Sequence, residues 1–130
     1  MRMAPPSSAS FQSVFEDLRD LLTPFESALQ VDVDTTEDYS LYTPHSEAYD
    51  RELFFGAAQI KKNYVSYHLM PVYMYPDLLD DLSPTLRKRM QGKSCFNFTK
   101  IGAEERAELR TLTQKGFDRL IAEGVLNPAT

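Results

Sequence analysis

The chain has 130 residues, 42% of them apolar and 25% charged, with a formal net charge of −5. This is enough for one domain around a single core, and ordinary for a globular protein. The acid surplus repels phosphates and argues against a nucleic-acid partner, since the basic cluster Arg87-Lys88-Arg89 with Lys93 and Lys100 is equally well explained as a solvated helix end.

No run approaches the roughly 18 unbroken apolar residues of a membrane helix, so no membrane partner is expected. Met1 to Ser10 is polar and proline-rich and lacks the apolar core of a secretory signal. Residues 1–10 are therefore expected to be a flexible leader and residues 11–130 a single domain. Cys95 is the one cysteine, so no internal disulfide can form, and a reducing cytoplasm is the expected location.

Along the chain, Phe11, Val14, Phe15, Leu18, Leu21 and Leu22 recur at helical spacing, with Ser10 as the expected N-cap. Thr23-Pro24-Phe25-Glu26 carries the marks of a second helix start, with Thr23 capping and Glu26 at a capping-box position. A kink ending near Ala28 is expected. Strict alternation follows: Leu29, Val31 and Val33 face one way, Gln30, Asp32 and Asp34 the other, as in a half-buried strand.

Thr35 to Asp38 is turn chemistry, and Tyr39 to Thr43 reads as the returning strand. A loop through Pro44, His45 and Asp50 leads to the strand Leu53 to Ile60. Its small residues Gly56, Ala57 and Ala58 imply a helix packed closely above. Lys61-Lys62-Asn63 is short enough to close a hairpin onto Tyr64 to Leu69, which runs to an exit marked by Pro71. Helical pattern returns in Pro76 to Leu82 and Ser83 to Met90, where Ser83-Pro84 reads as a cap followed by a first-turn proline. Gly92 turns the chain into a fifth strand, Lys93 to Phe98. A last helix from about Ala103 carries Leu109, Leu112, Phe117, Leu120 and Ile121 inward and stops at Gly124. The order predicts an α+β fold: a single, mainly antiparallel sheet of five or six strands, with N- and C-terminal helices packed on one face.

The blocks Tyr64-Val65-Ser66-Tyr67-His68-Leu69-Met70-Pro71-Val72-Tyr73 and Met90-Gln91-Gly92-Lys93-Ser94-Cys95-Phe96-Asn97-Phe98 resemble the YdhG-like family of small bacterial domains. Looser agreement runs through Leu29 to Asp34 and Tyr39 to Thr43, so the likeness spans about Phe15 to Phe117. Some members are described as frataxin-like, which implies weak, exchangeable Fe²⁺ binding and iron–sulfur assembly proteins as partners. Frataxin-type acids lie on the first helix and first strand. The corresponding residues here are Glu16, Asp17 and Asp20 on the helix, with Glu16 and Asp20 one turn apart, and Asp32 and Asp34 on the strand. Carboxylates suit such a shallow site, although acids on a solvated face are also what any acidic protein shows.

Other motifs carry less. Gly92-Lys93-Ser94 is not a phosphate-binding loop, because Arg87 stands where the first glycine is needed and a strand follows. Asp32-x-Asp34 opens like a calcium loop, but Glu37 and Thr43 occupy its glycine and bidentate-acid positions. Cys95 with His68 is a weak nucleophile–base pairing, and a structural thiol is the simpler reading. Tyr64, Ser66 and His68 share one strand face, with Lys93 and Ser94 near its rim. That face is the alternative site: a non-enzymatic module holding a small ligand or a protein partner, in a monomer or weak homodimer.

Overall fold

The computed structural model describes residues 6–127, so Met1 to Pro5 of the expected leader lie outside the described residues. Helix α1 (Pro6–Leu22) begins inside that leader and places Ser10 within the helix rather than at its cap. Proline tolerates a first helical position because the N–H it lacks would have no partner there. Val14, Phe15, Leu18, Leu21 and Leu22 are buried, which is the inward stripe their spacing requires. Thr23–Phe25 then forms one 3₁₀ turn around Pro24. Leu22 occupies the position before it, so Thr23 does not cap, and Glu26 accepts a hydrogen bond from the Tyr39 hydroxyl instead.

Six strands follow: β1 (Gln30–Asp34), β2 (Asp38–Tyr42), β3 (Phe54–Ile60), β4 (Val65–Leu69), β5 (Met90–Gln91) and β6 (Cys95–Phe98). They form one antiparallel sheet in the order β1-β2-β3-β4-β6-β5. The fold is α+β, with the N- and C-terminal helices on one face of the sheet. Tyr39, Leu41, Ala58, Val65, Tyr67, Leu69, Phe96 and Phe98 form that inner face and are fully buried. At Gly56 a Cβ would stand 3.1 Å from both a Leu22 methyl and the His68 carbonyl. Only glycine admits α1 so closely, as the small-residue run anticipates.

Further segments differ from the sequence expectation, among them Met90, expected to end a helix from Ser83 but placed in strand β5 beyond a helical turn that stops at Arg87. The register of β1 slips between Val31, opposite Leu41, and Val33, opposite Ser40, so Asp32 is the extra residue of a β-bulge. The bulge breaks the alternation. Asp34 sits opposite Tyr39 and pairs at 3.5 Å with Arg19 of α1, whereas Asp32 turns to the other face. The chain leaves β4 just before Pro71, as expected, but goes straight into helix α2 (Met70–Met74), with Pro71 in its first turn, which the sequence pattern did not announce. A 3₁₀ turn (Pro76–Leu79) leads to helix α3 (Pro84–Arg87), where the Ser83 hydroxyl accepts from the Leu86 N–H at 3.1 Å, as its Ser-Pro signal requires.

Helix α4 (Ala103–Ala122) closes the layer with Leu109, Leu112 and Leu120 buried. Its start is held by Glu105, which accepts from the Gly102 N–H at 3.0 Å and from Arg89 at 2.8 Å. Gly124, at φ +76°, ends it in the left-handed turn that glycine adopts without strain. Among the described residues no helix is long and apolar enough to cross a membrane.

Candidate functional site

With α1 and α4 on one face, the opposite face of the sheet has no helix over it among the described residues. Cross-strand register builds two rows there: Ser40–Ala57–His68–Cys95 and Asp38–Gln59–Ser66–Asn97. Ser40 and Ala57 of the first row are small and form a floor only 4–6% exposed.

A second bulge raises a wall. Leu41 faces Gly56 but Tyr42 faces Phe54, so Phe55 is the extra residue and turns into the core while Phe54 stays outside. Phe54 meets Tyr42 edge-on at 5.5 Å and His68 at 5.0 Å, the tilted arrangement that aromatic quadrupoles favour. Floor and wall enclose an open hollow of about 200 Å³, with Asp32 and Asp38 at one end and His68 at the other.

His68 is half-buried, and burial pushes its pKa below the ordinary 6.5, so the ring is neutral at physiological pH. Its Nε2 lies 2.7 Å from the Ser94 hydroxyl. Among the described residues no carboxylate is hydrogen-bonded to the ring, so no third member of a catalytic triad stands behind the pair there. Cys95 faces His68 across the β4–β6 pairing. Burial raises the pKa of its thiol, outweighing the opposing field of Lys61 and keeping it protonated.

Of the sequence-derived site, Ser66, His68 and Ser94 come together on this face. Tyr64 falls in the Lys61–Tyr64 turn, half-buried and outside the hollow. Lys93 stands apart, on an apolar groove with Val72, Tyr73, Pro76 and Leu79. The acids Glu16, Asp17, Asp20, Asp32 and Asp34 are not brought together. Asp17 is bound to Arg106 of α4 at 2.8 Å, Asp34 to Arg19, and Asp32 lies across the sheet. No three His, Cys, Asp or Glu side chains among the described residues are placed to share a metal ion.

Sequence reasoning missed Asp38, Ser40, Tyr42 and Phe54. The alternation of Asp38, Ser40 and Tyr42 within their own strand was the signal that could have found three of them. Comparison with family models, curated proteins and solved structures finds no match.

Proposed function

We propose that this chain is a non-enzymatic binding module that holds a small ligand on the open face of its sheet. The observation that carries this reading is the preformed hollow itself, with a small-residue floor, an aromatic wall and a few convergent polar groups. Its volume of about 200 Å³ is below the roughly 300–1,000 Å³ of drug-sized sites, so the occupant has few non-hydrogen atoms. The protonated Cys95 and the neutral, Ser94-bound His68 support binding over covalent chemistry. The lone thiol fits a cytoplasmic setting. Kinship with YdhG-like domains remains part of the proposal, carried by the blocks Tyr64 to Tyr73 and Met90 to Phe98. The iron-delivery role of some members gains no support from the scattered acids.

A thermal-shift screen of small metabolites tests this reading on the wild type and on Ala57→Phe, whose ring fills the hollow. Compounds that raise the melting temperature of the wild type are expected to lose that effect on a variant with an unchanged circular dichroism spectrum. Compounds that stabilise both proteins equally would place binding elsewhere and remove the open face from consideration.

A further inference from the structure

The β1–β2 end of the hollow is chemically distinct from the His68 end. Asp32 is exposed and makes no ion pair among the described residues. The Asp38 carboxylate accepts from the Gln59 amide at 3.1 Å through Oδ1, which leaves Oδ2 for a ligand. Ser40 between them is 6% exposed, and its hydroxyl has no hydrogen-bond partner among the described residues, although it lines the hollow. The hydroxyl opens into the hollow, where a donor brought in by a ligand reaches it. Arg19 is engaged elsewhere, pairing with Asp34 on the helix side. Two carboxylates and one open acceptor thus face two aromatic rings, Tyr42 and Phe54.

That donor-poor, acceptor-rich end fits a group with several N–H donors and a positive charge. A primary ammonium carries three donors, and the rings offer a cation–π face and cover for a short carbon chain. A hard divalent ion would meet only these two carboxylates here and fill the rest of its shell with water, so Mg²⁺ enters the test as a competing occupant. Resting on the reading of the open face as the binding surface, we propose that the hollow takes a small primary alkylammonium. Asp32 and Asp38 serve as counter-ions, Ser40 is the third acceptor, and Tyr42 and Phe54 lie against the carbon chain.

Amide-resolved NMR titration of the full chain with n-butylammonium, n-butanol, butyrate and Mg²⁺ tests this. Saturable shifts at Asp32, Ser40, Tyr42 and Phe54 are expected from n-butylammonium alone. Binding should weaken about tenfold in Asp32→Asn or Asp38→Asn, the order of one charge-assisted hydrogen bond at a partly solvated site. The amide spectrum of each variant reports directly that it is folded. A parallel titration with Nα-acetyl-lysinamide identifies the source of the ammonium. Binding tighter than that of n-butylammonium assigns it to a partner's lysine side chain, and weaker binding assigns it to a free amine. Equal shifts from n-butanol or butyrate, or a response to Mg²⁺ instead, would overturn the ammonium proposal while leaving the open face as a binding surface. Silence of the whole face to every probe would overturn the proposal, and silence in the metabolite screen as well would remove the face.

Discussion

The most consequential polar contact in the core joins Tyr67 of β4 to Thr113 of α4, with the hydroxyls 2.6 Å apart and both side chains fully buried. The Thr113 hydroxyl also donates to the Leu109 carbonyl at 2.8 Å, so its proton is committed and Tyr67 is the donor of the pair. This direction makes the two deletions unequal. Tyr67→Phe removes a donor and leaves Thr113 still bonded, at a cost of about 1 kcal/mol. Thr113→Val strands the Tyr67 hydroxyl in the core and costs about 1–3 kcal/mol. Urea denaturation of both variants checks the order, and a larger loss in Tyr67→Phe would reverse the assigned direction. His68 supplies a pH dependence of definite sign. Its folded pKa lies below the ordinary 6.5, so just below that pH the unfolded chain binds more protons than the folded one. Stability is then full above about pH 6.5 and falls as pH drops toward the folded value. Wild type should lose more stability than His68→Gln between about pH 7.5 and about pH 5.5. Equal losses would mean that the ring does not sense its burial.

Between elements, α4 approaches α2 closely enough that a Cβ on Gly116 would stand 2.9 Å from Cβ and 3.1 Å from Cγ of Pro71. Alanine in a helix interior is favoured over glycine by about 1 kcal/mol, but overpacking costs about 1–3 kcal/mol. The proline ring cannot rotate away, so the clash wins. Gly116→Ala is expected to lower stability by about 1–2 kcal/mol, and a gain would show that α2 yields freely. The same contact shows what the sequence made legible. The inward stripes of α1 and α4, the Ser83 cap and the strand alternation of β4 and β6 depend on local period and local hydrogen bonds, and all were readable. Bulges are not local, because the one at Asp32 exists only against the register of β2. It undid the expected pairing of Asp32 with Asp34 on one face. Pro71 marks the end of β4 as read, but the helix it opens went unread, because a first-turn proline and a strand-ending proline look alike in sequence. In the site, the face shared by Ser66 and His68 followed from period two. The Phe54 wall depended on a second bulge, and the Ser94 contact spans 26 residues of chain.

Across the whole molecule, stability is graded from the centre of the sheet to its β1 edge. Strand β4 is flanked by β3 and β6 and covered by α1, with Val65, Tyr67 and Leu69 fully buried. Strand β1 has one neighbour, a bulge, and Val31 at 43% exposure. Opening β1 exposes little apolar surface, so its amides should exchange by local fluctuation, whereas those of β4 wait for global unfolding. A free edge also invites pairing with a second copy, but the bulge and the acids Asp32, Asp34 and Glu37 oppose it. Hydrogen exchange followed by NMR should therefore show β1 amides exchanging orders of magnitude faster than those of β4, with no slowing when protein concentration is raised about tenfold. Protection of β1 equal to that of β4, or growing with concentration, would mean that the edge is covered by another chain. Because Asp32 and Asp38 lie on neighbouring strands, an occupant bridging them would tie β1 to β2. Saturating n-butylammonium should then slow exchange in β1 selectively and leave β4 unchanged, coupling occupancy of the open face to the least stable edge of the sheet.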